Sequence, residues 1–208
     1  MTLSKRYPLR ISRGESAGSV NLFCTVTEDG VSGLGEASPG RLTGAESAED
    51  CENQIKDFLG ENTQALDNPF DGWQMARDAG VAPCAWAAVD TALWDLLARS
   101  QSKPLYRLLG LPRRAVPTSV TIGILPPDVV RERVPEVIQR TGARYLKVKL
   151  GSPEGLDADC EMFSAVQEAA SSFDVKVRVD ANGGWNLKDA QKMMTWLKEH
   201  DCDYVEQP

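Results

Sequence analysis

Two lysines side by side on a predicted strand are the first residues here that could do chemistry. They lie in Tyr145–Gly151, which reads YLKVKLG, where apolar residues alternate with Lys147 and Lys149. Side chains on a strand alternate between its faces with a period of two, so both ammonium groups point the same way. The opposite face is apolar and is predicted to be buried.

Acidic and amide side chains follow at the ends of the next two predicted strands. Asp180 ends the strand in VKVRVDAN, with Asn182 two residues later, and Glu206 ends the strand in DYVEQP. The carboxyl ends of parallel barrel strands meet at one edge, where the chemistry of such folds lies. We therefore expect these groups to converge with the two lysines, although any one of them alone could be a solvated residue at the rim.

The combined set indicates metal-assisted proton abstraction. Two carboxylates and an amide oxygen are hard ligands of the kind that Mg²⁺ accepts. Two lysines in a desolvated cleft disfavour each other's ammonium form, which prepares one of them as a base. A metal that stabilises the enediolate, together with an amine base, can remove a proton α to a carboxylate.

The elements that must position these groups alternate between strand and helix from about Pro117 onward. TSVTIGI, YLKVKLG, VKVRVD and YVEQP are predicted strands, separated by three amphipathic helices. Repeats of this kind, roughly 30 residues long, are typical of parallel βαβ units and place the chain in the α/β class. Pro135 lies inside the first helix and is predicted to kink or break it.

The preceding half of the chain has a different pattern of predicted strands and helices. SVNLFCTV is predicted to be one half-buried antiparallel strand, followed by a turn at Glu28–Gly30. A helix is predicted to begin at Ser47 and stop at Gly60, and the strongest helix pattern covers residues 84–101. We therefore expect an N-terminal α+β domain over residues 1–116 and a second domain over residues 117–208.

Composition excludes several classes of function. The 208 residues carry a net charge of −7, which argues against nucleic acid as a partner. The sequence contains no apolar run long enough for a membrane span, so no membrane association is expected. Its five cysteines are scattered without a Cys-x-x-Cys pair, which favours a reducing, cytoplasmic compartment over a disulfide framework or a zinc site.

Taken together, YLKVKLG, VRVDANGGW and YVEQP resemble the successive strand-end motifs of the enolase superfamily, in its muconate-lactonizing-enzyme subgroup. GLGEASP and the segment from AAVDTALWDLLARS to PLYRLLG resemble the capping domain of that subgroup. PLRISRG, PGRLTGAES and TSVTIGI are most similar to the dipeptide epimerases of the L-Ala-D/L-Glu type. The resemblance implies a (β/α)₈ TIM-type barrel with an N-terminal α+β cap, of which this chain has the first four barrel strands.

The resemblance also implies roles for the converging residues. Lys149 would be the acid/base on one face of the α-carbon. Lys147 would contact the substrate carboxylate and lower the pKa of Lys149. Asp180 and Glu206 would bind Mg²⁺, and Asn182 would support them without binding the metal directly.

Three further residues are candidates for substrate contacts. Arg13 and Arg41 lie in the two cap loops that would close over the substrate, where either could meet a distal carboxylate or be an ordinary surface arginine. Thr121 ends the first barrel strand, where its hydroxyl could contact substrate or simply face a turn.

The expected function is that of an isomerase, a Mg²⁺-dependent epimerase that acts on a dipeptide through an enediolate. Muconate cycloisomerase, o-succinylbenzoate synthase and N-acylamino-acid racemase remain alternatives within the subgroup. The expected partners are a small-molecule carboxylate substrate and further copies of the chain in a homo-oligomer.

The family's third metal ligand and opposing lysine come from the fifth and sixth barrel strands, which this sequence does not contain. We therefore expect the chain to be a piece of a longer protein and inactive by itself. Two alternatives are a second chain that completes the barrel and a degenerate, non-catalytic remnant that acts as a binding module.

Overall fold

The computed structural model describes residues 1–40, 42–113 and 117–208. The strands are β1 (Thr2–Ile11), β2 (Gly14–Val20), β3 (Leu22–Glu28), β4 (Val31–Ala37), β5 (Ser119–Ile122), β6 (Tyr145–Lys149), β7 (Lys176–Asp180) and β8 (Val205–Glu206). The helices are α1 (Ala48–Glu61), α2 (Pro69–Asp78), α3 (Pro83–Ser100), α4 (Leu105–Leu108), α5 (Pro127–Thr141), α6 (Leu156–Ala170) and α7 (Leu187–Glu199), with a 3₁₀ turn at Thr63–Leu66.

The chain divides into two compact units. The first, called the cap unit below, comprises Met1–Ser4 and Gly18–Arg114; the second, called the barrel unit, comprises Lys5–Ala17 and Ala115–Pro208. The predicted boundary between residues 116 and 117 borders residues 114–116, which lie outside the described part of the chain.

The barrel unit contains a four-stranded parallel sheet in the order β5-β6-β7-β8. A helix lies between each of these strands and the next, so the sheet is built from successive βαβ crossovers. The predicted parallel pairing is confirmed.

The apolar face of this sheet packs against the helices and forms the core of the barrel unit. Alternate residues of β6 and β7, such as Val148 and Val179, are fully buried there, while the residues between them point to the other face. Helix α5 contributes Val130 and Val134 to the same core.

Helix α5 runs through Pro135 as one continuous helix, so the predicted break is absent, while the alternative of a kink stays a prediction. A proline inside a helix removes one backbone hydrogen bond. The helix keeps four buried residues on its core face on either side of that point, namely Val130, Val134, Val137 and Ile138. Their burial offsets the lost bond.

A hairpin made of Lys5–Ala17 belongs to the barrel unit. The Ile124 amide donates a hydrogen bond to the Arg10 carbonyl at 2.8 Å, which ties β1 to the segment just after β5. On the same hairpin, the Tyr7 hydroxyl donates to Glu136 at 3.3 Å, and the Arg133 guanidinium lies over the Tyr7 ring. The hairpin is therefore held against the barrel unit by polar and aromatic contacts.

The cap unit is built on the antiparallel pair β3–β4, which packs on α3. Adjacent positive φ angles at Asp29 and Gly30 make the predicted turn between the two strands. Gly33 and Gly35 approach α3 closely, since a Cβ on Gly35 would lie 1.9 Å from the Ala88 carbonyl oxygen. Glycine in GLGEASP therefore permits direct contact between the backbones of strand and helix.

Two expectations for the cap unit were wrong. The segment SVNLFCTV is divided between β2 and β3 at Asn21, whose backbone hydrogen-bonds in both directions with Met1. Helix α1 has the predicted Ser47 cap but continues past Gly60 to Glu61, and the Asn62 side chain then donates to the Phe58 carbonyl. The 3₁₀ turn and α2 lacked a predicted counterpart.

The strongest predicted helix is confirmed as α3, with a broad buried face. Within residues 1–40, 42–113 and 117–208, the structure has no helix with the length and apolar character needed to cross a bilayer.

Candidate functional site

Four charged side chains meet at the carboxyl end of the parallel sheet. Strand pairing sets Lys149 beside Asp180, and Asp180 beside Glu206. The Lys149 ammonium donates to Asp180 Oδ2 at 2.6 Å, and the Lys147 ammonium donates to Glu206 Oε2 at 2.9 Å. Lys147 Nζ also lies 3.8 Å from Asp180 Oδ2, so the four groups form one network.

Opposite charges balance within this cluster, which allows it to be partly buried. The side chain of Asp180 is 2% exposed and that of Lys149 is 12% exposed. Burial opposes ionisation of Asp180, but hydrogen bonds from Lys149 and from the Asn182 amide, with the charges of both lysines, outweigh it and hold the pKa of Asp180 below its ordinary value. Asp180 is therefore a carboxylate at neutral pH.

Lys147 does not have the disfavoured ammonium form that the sequence suggested for this lysine pair. Its hydrogen bond to Glu206 raises the pKa of Lys147 above the ordinary value, against the smaller opposing effect of burial. The expectation considered the neighbouring lysine and a desolvated cleft. The structure adds a carboxylate at 2.9 Å, and opposite charge at that distance favours the charged form.

Asn182 lies in the loop just beyond Asp180, in a left-handed conformation with φ of 51°. Its backbone amide donates to Asp180 Oδ1, and its side-chain amide donates to Gln207 Oε1 at 3.0 Å. Its own side-chain carbonyl oxygen, Oδ1, is buried without a hydrogen-bond partner in the described part of the chain. Asn182 thus links the ends of β7 and β8.

The donor atoms at this sheet end fit a hard divalent cation. Asp180 and Glu206 supply carboxylate oxygens at adjacent register positions, and the unpaired Asn182 oxygen lies in the following loop. Within the described ranges, no group of three or more His, Cys, Asp or Glu side chains is arranged to hold a metal ion. The carboxylates here number two, so a cation would complete its coordination with other ligands.

The three predicted substrate contacts are placed differently. Thr121 pairs in register with Lys147 on the neighbouring strand, so it borders the cluster. Arg13 is exposed at the hairpin turn, next to Ser12, whose hydroxyl donates to the Asn182 carbonyl at 3.3 Å. Arg41 lies outside the described residues.

Asp159 is a residue of the site that sequence reasoning missed. It lies in α6 and is 1% exposed, yet it accepts hydrogen bonds from the Gly151 amide, the Ser152 amide and the Trp185 indole at 2.8 to 3.0 Å. Burial raises its pKa, and the hydrogen bonds from Trp185, Ser152 and Gly151 act in the opposite direction. In the sequence, Asp159 reads as an ordinary acid of a helix first turn, and only the tertiary structure places it beneath two loops.

Comparison with known families agrees with this architecture. Residues 2–110 match the family described as the mandelate racemase / muconate lactonizing enzyme, N-terminal domain. Residues 129–208 match the family described as enolase C-terminal domain-like.

Several of the similar proteins are dipeptide epimerases. The chain is 58% identical over 206 residues to a hydrophobic dipeptide epimerase of Roseobacter litoralis, covering 99% of this chain and 59% of that relative. It is also similar to the crystal structure of the Enterococcus faecalis dipeptide epimerase complexed with Mg and the dipeptide L-Leu-L-Tyr, with 31% identity and a TM-score of 0.86 over 100% of this chain and 58% of that one.

A third similarity is to the N-succinyl Arg/Lys racemase of Bacillus cereus, with 27% identity and a TM-score of 0.88 over 100% of this chain and 57% of that chain. The chain thus spans about 59% of the length of the first relative. Both of its units match, and it belongs to the mandelate racemase/muconate lactonizing enzyme family of the enolase superfamily.

Proposed function

We propose that this chain supplies one acid/base face and part of the metal site of a Mg²⁺-dependent dipeptide epimerase. The observation that carries this proposal is the cluster of Lys147, Lys149, Asp180 and Glu206 at the carboxyl end of the parallel sheet. Such a cluster combines amine groups with carboxylate oxygens in one partly buried place, which proton abstraction α to a carboxylate requires.

Each residue has a distinct role in this proposal. Lys149 takes the α-proton from one epimer, and it returns a proton to the same face when the reaction runs in reverse. Lys147 binds the substrate carboxylate with the ammonium form that the structure favours. Asp180 and Glu206 hold Mg²⁺, and Asn182 fixes the loop between their strands through its bonds to Asp180 and Gln207.

When bound at these carboxylates, Mg²⁺ would supply positive charge that stabilises the enediolate formed by loss of the α-proton. Lys147 pairs with Glu206 and keeps a positive charge beside the metal site, whereas Lys149 must be the neutral amine at the moment when it accepts the α-proton. Thr121 borders Lys147 and is proposed to contact the substrate, as is Arg13 from the hairpin turn.

The proposed substrates are dipeptides with hydrophobic side chains rather than L-Ala-L-Glu. Support comes from the relatives: identity is 58% to a hydrophobic dipeptide epimerase and 37% over 186 residues to an L-Ala-D/L-Glu epimerase of Bacteroides thetaiotaomicron. The sequence alone had favoured the L-Ala-D/L-Glu type.

The decisive test is exchange of the α-proton in D₂O. The chain is joined to the segment of the Roseobacter litoralis relative that follows its matched part, and each epimer of a hydrophobic dipeptide and of Ala-Glu is supplied separately. Lys149→Ala should lower exchange on one face by about 10²–10⁴-fold, because removal of a general base has that effect. Exchange on the other face should survive.

The matched control is Lys188→Ala, which removes an exposed lysine of α7 and should leave exchange unchanged. Equal loss from both epimers in Lys149→Ala would contradict the face-specific role. Absence of exchange in the unsubstituted fusion with every dipeptide would contradict the proposed function, and turnover of muconate or of N-acylamino acids would favour another reaction of the subgroup.

Metal binding is tested by titrating the 208-residue chain with Mg²⁺ in a calorimeter. Asp180→Asn or Glu206→Gln should weaken binding strongly, since each removes both a charge and a ligand. Glu199→Gln, an exposed acid of α7, is the control and should bind as the unsubstituted chain does. Equal affinity in all variants would show that these carboxylates do not hold the metal.

We also propose a reducing, cytoplasmic setting, supported by cysteines that are all free thiols. Cys51 and Cys84 lie near each other, with sulfur atoms 3.8 Å apart, and are not joined. The predicted homo-oligomer remains a prediction, which the mass of the fused protein measured by light scattering would check.

A further inference from the structure

A buried hydrogen-bond centre lies beneath the loops that follow β6 and β7. Asp159 Oδ2 accepts from the Gly151 amide at 3.0 Å and from Trp185 Nε1 at 2.8 Å, while Oδ1 accepts from the Ser152 amide at 2.9 Å. Gly151 lies two residues after Lys149, and Trp185 lies five residues after Asp180. One carboxylate therefore joins the loops that extend the two strands bearing the 2.6 Å pair.

The two loops also touch through their backbones. A Cβ on Gly151 would lie 2.7 Å from the Ala181 carbonyl oxygen, and a Cβ on Gly184 would lie 2.8 Å from Gly151 Cα. Gly151 has φ of 78°, a left-handed conformation that favours glycine. Contact this close leaves little freedom for one loop to shift against the other, provided that the loops stay anchored.

Burial of the Asp159 carboxylate is costly in folding free energy, which argues that this residue has a purpose. Three N–H donors converge on Asp159, and a carboxylate has the acceptors to satisfy all of them. A buried carboxylate without a basic partner opposes folding unless such bonds compensate it. In the described part of the chain, no Lys or Arg forms an ion pair with Asp159.

We propose that Asp159, through its hydrogen bond with Trp185, is a positioning residue that sets the spacing and shielding of Lys149 and Asp180. Neither Asp159 nor Trp185 belongs to the cluster itself. They act by holding the loop after Lys149 against the loop after Asp180. The inference deepens the proposed function and rests on it, because it concerns the lysine to which proton transfer is assigned.

The mildest test removes only the indole N–H. In Trp185→Phe, Asp159 keeps the two backbone donors but loses the link to the second loop. Acylation of Lys149 by a small water-soluble reagent, followed by mass spectrometry on the 208-residue chain, should become several-fold faster. Acylation of the exposed Lys188 in the same molecules should not change and serves as the internal control.

The stronger variant is Asp159→Asn, which must present an amide N–H₂ to at least one N–H donor. It should raise Lys149 acylation at least as much as Trp185→Phe does. Both changes break the same connection between Asp159 and Trp185. The double variant should therefore raise the rate of Lys149 acylation by less than the two single effects combined. Unchanged Lys149 acylation in Trp185→Phe, or equal acceleration at Lys149 and Lys188, would overturn the positioning role.

Turnover supplies a second readout in the fused protein. Trp185→Phe should lower kcat by about ten- to a hundred-fold with little change in KM, because small misplacements of a reacting group carry such losses. A rise in KM at constant kcat would overturn the inference. Loss of exchange in the unsubstituted fusion would contradict the proposed function instead, while the acylation result would still decide the role of Asp159.

Discussion

The two units differ in the polar side chains that they bury. Among the described residues, Asn21 is the buried polar residue of the cap unit, whereas Asp159, Asp180 and Asn182 are buried in the barrel unit. In the cap unit, Gly33 and Gly35 allow the backbone of β4 to approach α3 closely. The barrel unit keeps charge at the end of its sheet.

Under the proposed function, this difference separates a unit whose core serves packing from a unit that also serves chemistry. An apolar contact between small residues stabilises a fold without any requirement for charge balance. Buried carboxylates lower stability unless lysines or N–H donors satisfy them, so a unit that retains them favours function over maximal stability. Substitutions in both units would test that contrast.

Gly35→Ala should cause the largest loss of stability. Its Cβ would lie 1.9 Å from the Ala88 carbonyl oxygen, and neither atom can move independently of the backbone that carries it. We expect a loss of roughly 3 kcal/mol or more in the free energy of unfolding, at the upper end of overpacking effects. Urea unfolding followed by circular dichroism measures it.

The matched control in the same unit is Gly60→Ala. Gly60 lies inside α1, and a Cβ there would meet nothing within 4 Å. Alanine is the better helix former, so this variant should be more stable by about 0.5–1 kcal/mol. Similar effects at both positions would show that close packing does not determine which glycine the cap unit needs.

Asp180→Ala should destabilise the chain more than Glu206→Ala. Asp180 is 2% exposed and pairs with Lys149 at 2.6 Å, whereas the Glu206 side chain is 39% exposed. Removing one partner of a buried pair leaves an uncompensated charge, so we expect a loss of about 2–3 kcal/mol for Asp180 and less than about 1 kcal/mol for Glu206. Equal losses in urea unfolding would contradict the burial argument.

The smallest effect is a pH dependence due to Lys147. Its pKa is raised in the folded state by Glu206, so the stabilisation is complete below the unfolded value of about 10.4 and is lost as pH rises through the folded pKa. The side chains are partly exposed, so the amount is at most about 1 kcal/mol. We expect the unfolding midpoints of the unsubstituted chain and Lys147→Met to converge over the pH range that begins at about 10.4 and extends upward. A constant difference across that range would assign the effect to other groups.

The order of the elements was predictable because it depends on local patterns. Alternation of apolar residues located the parallel strands, and the Ser47 cap and the apolar face of residues 84–101 located two helices. Predictions failed at Asn21 and Gly60, and the predicted break at Pro135 is absent, because a local signal was overridden at each position. At Asn21, the backbone pairs with Met1. At Gly60, the surface of the helix is open. At Pro135, the core face of α5 is buried on either side of the proline.

By itself, the sequence determined that Lys147 and Lys149 share a face and that Asp180 and Glu206 end neighbouring strands, because strand periodicity and parallel order fix both. Only the tertiary structure decided which lysine meets which carboxylate, since that depends on strand register. It also decided that Asp159 lies under both loops, 21 positions before Asp180 in the sequence but joined to the loop after it through Trp185. Contacts between side chains distant in sequence arise from packing, and no local pattern encodes them.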